Sequence, residues 1–186
     1  MDLFGRQGFK ATTVADIEKA AGLSPGAGGL YRHFASKRAV LEAGLREQVS
    51  AGVGLREMLA AGTSRPPGAD AREQLMLVAR AGLARLQQER DLNRLLLSEL
   101  AAFPELLALV RDRELRTVHD GLLAWLGTQP GHEGVDLAAV AAVLMGAVSH
   151  YWVMADVFSG EHPLAISEDR YLAVLVDMTT GLLGRT

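Results

Sequence analysis

The chain has 186 residues, with 22 acidic and 19 basic side chains, a formal net charge of −3, 49% hydrophobic residues and no cysteine. That apolar fraction supports a buried core and excludes general disorder, and the length fits one or two small domains. Without cysteine there is no disulfide framework, thiol nucleophile or Cys-based zinc site, and a negative net charge taken alone argues against a nucleic-acid partner.

In chain order, Met1-Asp2-Leu3-Phe4-Gly5 lacks a basic stretch followed by an apolar run, so it does not read as a signal peptide. Thr13 predicts the cap of a helix running to about Ala21, with Asp16 as the partner of a capping box and Gly22 as the stop. Ser24 followed by Pro25 is a second start signal, and Ser36 a third. The third helix is expected from Lys37 to about Ala61, with Val40, Leu41, Leu45 and Val49 at helical spacing. Thr63–Ala69, containing Pro66-Pro67-Gly68, reads as a linker.

Asp70 with Glu73 opens a helix to about Gln88, a kink is expected at Glu89–Asp91, and a second stretch runs from Leu92 to Ala102. Pro104 opens a long helix to about Leu126, and Gly127–Gly134 is a loop. Asp136 to about Phe158 is the most apolar helix. Its apolar run Leu137–Val148 is shorter than the roughly 20 residues that a membrane span needs, which predicts a buried helix and no membrane partner. Ser159–Ile166 is a loop, and Ser167 and Glu168 open a last helix to about Leu183. The expected fold is all-α, with about nine helices and no fixed-period repeat.

Charge is unevenly distributed. Residues 1–50 hold seven basic against five acidic side chains, a net +2, and all three lysines; the rest of the chain nets −5. The sign of the head suits a phosphate-facing module. The local order there is helix, tight turn at Gly22, short helix, helix, which is the order of a helix-turn-helix. Phe4, Phe9, Val14, Ile17, Ala20, Ala21, Leu23, Leu30, Phe34 and Leu41 are spaced to form its core. Thr12, Thr13, Ser24 and Ser36 with Lys37 stand at helix starts, where hydroxyls and N–H groups bind phosphate well.

The run Leu3-Phe4…Gly8-Phe9…Thr12-Thr13-Val14…Asp16-Ile17…Ala21-Gly22-Leu23-Ser24…Leu30-Tyr31-Arg32-His33-Phe34…Ser36-Lys37…Leu41 resembles the DNA-binding domain of the tetracycline-repressor (TetR-like) family, over about the first 45 residues. The resemblance implies a DNA-binding domain at 1–46 and a helical effector-binding and dimerisation domain at 47–186. It also implies that Thr13, Tyr31, His33 and Lys37 hold phosphates, with Ala27, Gly28 and Arg32 nearest the base edges. The plain alternatives are a simple helix cap for Thr13, an interdomain pair for Tyr31 and His33, and a solvated side chain for Lys37.

Two departures from the family pattern stand out. Ser24-Pro25-Gly26-Ala27-Gly28-Gly29-Leu30-Tyr31 is two residues longer than the pattern and carries three glycines, so the recognition helix is expected to start late or irregularly. The family's first helix normally begins about ten residues upstream, so a preceding segment is expected. The glycine run itself follows a helix and lacks Gly-x-Gly-x-x-Gly spacing, which excludes it as a dinucleotide loop.

In the body, Val140, Leu144, Ala147 and Val148, with Val174, Leu175, Met178 and Leu182, are the expected dimer face, the resemblance implying a four-helix bundle across a two-fold axis. Met76, Arg80, Leu97, Phe103, Leu107, His119, Leu122, Trp125, Tyr151 and Met154 are candidate effector contacts, each also readable as ordinary core. Nucleophile-elbow, P-loop and metal-ligand motifs are missing, so no catalytic residue, cofactor or metal is expected. The sequence reads as a cytoplasmic, homodimeric, effector-released DNA-binding regulator, a repressor on a pseudo-palindromic operator. The alternative is a helical small-molecule-binding or interaction protein whose DNA head does not function.

Overall fold

The computed structural model describes residues 2–51, 70–99 and 103–184, and all their regular elements are helical. They are α1 (Asp2–Ala11), α2 (Val14–Ala20), a 3-10 turn (Gly29–Arg32), α3 (Lys37–Ala51), α4 (Ala71–Gln88), α5 (Arg90–Glu99), α6 (Pro104–Val110), a π-helical turn (Arg111–Leu115), α7 (Arg116–Leu126), α8 (Leu137–Val157) and α9 (Glu168–Leu183). They form two compact units, Met1–Gly52 with Glu89–Glu114, and Val53–Gln88 with Leu115–Thr186.

Local chemistry sets most helix starts. Thr13, Asp136 and Ser167 cap α2, α8 and α9, each side chain accepting an N–H bond from the residue three positions on. Ser36 Oγ accepts from the Ala39 N–H at 3.1 Å at the start of α3. Pro104 occupies the first turn of α6, where its missing N–H costs nothing. Two expectations are corrected. Ser24-Pro25 starts no helix; the chain turns through the glycines instead. The helix from Pro104 to Leu126 is interrupted by the π-helical turn, where one residue too many is accommodated per turn. The expected extension of α3 to Ala61, the linker at 63–69 and the end of the stretch at 100–102 lie outside the described residues.

The first unit is held by a core drawn from distant segments. Phe4, Leu41 and Leu45 pack with Leu92 and Leu95 of α5, and with Phe103, Leu106 and Val110. Phe9 stacks on Phe4 (centroids 5.8 Å apart) and meets Phe103 edge-on (5.0 Å, 79°). Each such buried side chain contributes about 1.5–3 kcal/mol. A close crossing is built in where α1 meets α5, since a Cβ at Gly5 would collide with the backbone of Asp91. The head therefore does not rest on its own three helices alone: Leu23, expected in its core, is exposed, and Ala20 and Ala21 are exposed as well.

In the second unit α4, α8 and α9 share two adjoining cores. Leu75, Leu122, Trp125, Leu126, Ala141, Leu144, Val176 and Leu183 form one. Ala79, Leu83, Val148, Tyr151, Trp152 and Leu172 form the other. Ion pairs Arg72–Asp177 (2.7 Å) and Arg80–Asp169 (2.8 Å) tie α4 to α9 at the surface, where water screens both. By length and composition α8 could cross a membrane, yet one side of it, Ala141, Leu144, Val148, Tyr151 and Trp152, fills these cores.

Candidate nucleic-acid interface

The head presents its polar groups around the join between α2 and the 3-10 turn. Thr13 and Asp16 form a complete capping box: the Thr13 hydroxyl donates to Asp16 Oδ2 at 2.6 Å, the Thr13 N–H donates to the same oxygen at 3.0 Å, and the Asp16 N–H donates to Thr13 Oγ1 at 3.1 Å. These donors, the hydroxyl foremost, hold the Asp16 carboxyl below its ordinary range. Thr13 remains exposed on the outer surface.

Beyond α2 the chain passes through Gly22, Gly26 and Gly28, all with positive φ near 75°. Gly28 (φ 73°) is the cap residue of the 3-10 turn, a left-handed conformation that glycine adopts without steric cost. Leu30 anchors the turn in the interior, 4% exposed, while Tyr31 (58% exposed), Arg32 and His33 face solvent. Ser24 and Ala27 are exposed and Gly28 is half-buried. The short helix expected after Gly22 thus starts late and irregularly, as a single 3-10 turn.

Thr12 and Lys37, expected among the phosphate contacts, are turned to internal use. Thr12 is fully enclosed, its hydroxyl donating to the Gly8 carbonyl at 2.7 Å and the Leu3 carbonyl at 3.3 Å. Lys37 Nζ donates to the Phe9 and Thr12 carbonyls, both at 2.7 Å, and lies 4.4 Å from the centroid of the Phe9 ring. It satisfies carbonyls left open where α1 ends.

The residue that sequence reasoning missed is Glu18. It is 0% exposed, and its Oε2 accepts from the Gly26 N–H at 2.6 Å while Oε1 accepts from the Leu30 N–H at 3.0 Å. One signal for it was present: Glu18 follows the half-buried Val14 by one helical repeat of four on α2, an acidic residue where an apolar one belongs.

The expected effector contacts are divided between the units. Met76, Leu122 and Trp125 converge on one core, and Tyr151 belongs to the core beside it, which Met76 also touches. Met154 is half-buried on α8. Phe103 is buried in the first unit, whereas Leu97 and Leu107 there are exposed. Arg80 is engaged with Asp169 at the surface, and His119 Nε2 lies 3.1 Å from the Ala138 carbonyl, joining α7 to the start of α8. Tyr151 and Tyr171 donate to the Ile166 and Ala147 carbonyls, and burial raises both phenol pKa values. No group of three metal-ligating side chains occurs among the described residues.

The expected dimer residues also divide. Leu144 and Val148 are buried within the protomer, Val140, Ala147 and Leu175 are half-buried, and Val174, Met178 and Leu182 are exposed. Val143, 66% exposed on α8, is an outward-facing apolar residue that sequence reasoning did not single out, because α8 is apolar on nearly every side.

Residues 1–43 match the family model described as "Bacterial regulatory proteins, tetR family". The fold is similar to that of Salmonella enterica GusR, with a TM-score of 0.64 and 24% identity over 97% of this chain and 88% of that chain. No curated protein matches.

Proposed function

We propose that this TetR-like chain, a TetR-type DNA-binding regulator, acts as a cytoplasmic homodimeric repressor that binds a pseudo-palindromic operator and leaves it when a small molecule binds its helical body. The observation that carries the DNA reading is the exposed Tyr31-Arg32-His33 face, displayed on a turn whose Leu30 is locked in the interior. Residues 1–46 are the proposed DNA-binding domain and 47–186 the effector-binding and dimerisation domain. Thr13, Ser24 and the 3-10 turn supply the contacts, with Arg32, Ala27 and Gly28 towards the bases and Tyr31 and His33 on phosphates. Thr12 and Lys37 support them from within.

Two such heads related by a two-fold axis read half-sites about 34–36 Å apart, or a multiple of that. The dimer face proposed is the exposed apolar strip Val143, Val174, Met178 and Leu182, since such a strip on two adjacent helices is the surface a second copy covers. The effector is proposed to lie beside Met76, Leu122 and Trp125. There the Trp125 Nε1 is buried without a hydrogen-bond partner, which supplies a polar anchor in an apolar setting. Release follows if the effector binds more tightly to a conformer whose heads are wrongly spaced, and the shift is limited by that difference in affinity. We propose no catalytic role.

The test is selection of duplex fragments from a random library by the full-length chain, followed by gel shifts over a range of salt. Recovery of a two-fold-symmetric site, with loss of binding in Tyr31→Ala/Arg32→Ala, is the expected result. Failure to enrich any sequence sinks the reading. It favours instead a helical small-molecule-binding protein with an inactive head, an alternative supported by the recognition element's being one 3-10 turn rather than a full helix.

A further inference from the structure

We propose that Glu18 is the positioning residue of the DNA-reading turn: its buried carboxylate is a remote cap that fixes where Tyr31, Arg32 and His33 stand. This inference rests on the DNA-binding reading above.

The 3-10 turn begins at Gly28, which has no side chain with which to cap it. The Leu30 N–H at its start has no carbonyl of its own turn to bond, and a buried N–H without a partner is costly. Glu18 Oε1 reaches it from α2 across twelve positions of sequence. The other carboxylate oxygen holds the Gly26 N–H, inside the glycine-rich segment that is two residues longer than the TetR-like pattern. The Glu18 backbone carbonyl takes the Leu23 N–H at 2.8 Å as well. One residue therefore holds the segment at its beginning, middle and end.

The segment needs such a latch. Gly26 and Gly28 both lie in the left-handed region, and glycine loses more conformational freedom on ordering than any other residue. Because Glu18 is fully enclosed, it acts on DNA only through the backbone it holds.

Glu18→Gln tests this in the full-length chain. Its amide nitrogen puts a donor against the Gly26 or Leu30 N–H while its volume is nearly unchanged. The probes are the duplex selected by the wild type and a scrambled duplex of equal length at the same salt. Phosphate attraction dominates binding to the scrambled duplex, whereas the selected one also needs the turn correctly placed. Affinity for the selected duplex is expected to fall at least tenfold and that for the scrambled duplex less than twofold. The amide signals of Gly26 and Leu30 in a nitrogen–proton NMR spectrum are expected to move, with the far-ultraviolet circular dichroism unchanged. An unaltered ratio of the two affinities, or a parallel loss of both, overturns the proposal. If Glu18→Gln does not fold, Glu18→Asp, one methylene too short to hold both N–H groups, carries the same expectation and the same overturning results. If the wild type itself selects no sequence, the DNA reading fails first, and shifted Gly26 and Leu30 amides then identify Glu18 as a latch of the fold alone.

Discussion

Lys37 Nζ donates to the main-chain carbonyl of Phe9 at 2.7 Å while lying 4.4 Å from the centre of the same residue's ring. The contact joins the first turn of α3 to the end of α1, and the second bond, to the Thr12 carbonyl, makes it a clamp. Lys37→Ala removes both bonds and leaves two carbonyls short of a donor. A loss of about 2 kcal/mol in urea unfolding is expected, in line with the ~1.5–3 kcal/mol typical of hydrogen bonds to a charged group. A loss below about 0.5 kcal/mol would mean that the ammonium stands in solvent.

Gly28 has φ 73° at the entrance to the 3-10 turn. Alanine in that conformation is strained by roughly 1–2 kcal/mol. Gly28→Ala is expected to lower stability by about that amount and to weaken binding to the selected duplex. Equilibrium unfolding and fluorescence anisotropy measure the two effects, and unchanged values for both contradict the assigned geometry.

The capping box gives α2 an acid sensitivity. The Asp16 carboxyl is held below its ordinary value, first by the Thr13 hydroxyl and then by the Thr13 N–H. In the unfolded chain it titrates near ~4. A group whose folded pKa is depressed stabilises fully above the unfolded value, and that contribution fades as pH falls through the folded value. The melting temperature is therefore expected to fall more steeply below about pH 4 in the wild type than in Asp16→Asn. Parallel curves from pH 7 to pH 2.5 would refute this assignment.

The proposed dimer strip is open to a charge. Met178 is 70% exposed and Val174 59% exposed, so glutamate at either position harms the free protomer little. Buried in an interface, the double change Val174→Glu/Met178→Glu is expected to weaken dimerisation at least a hundredfold, equivalent to about 2.7 kcal/mol. Sedimentation equilibrium measures it. An unaltered dimer moves the interface elsewhere.

Much of the local structure was legible before the fold. Thr13, Ser36, Asp136, Ser167 and Pro104 mark helix starts because capping and the first-turn tolerance of proline involve only a few neighbouring residues. The glycine segment signalled an irregular helix start before Tyr31 for the same local reason. Lys37, expected among the phosphate contacts, was not legible as an internal clamp, since its bonds run to the Phe9 and Thr12 carbonyls, more than twenty residues away in sequence.

The sequence by itself determined an all-α chain and a TetR-like head, because periodicity, caps and motif order are properties of short stretches. Only the tertiary structure decided what the head is built from. Leu92, Leu95, Phe103 and Leu106 complete its core from well outside the motif, and Glu18 holds the turn through a segment whose path no propensity specifies. It also decided which side of α8 turns outward. A helix apolar on nearly every side carries no periodic signal to orient it, so its partners in α4 and α9 make the choice.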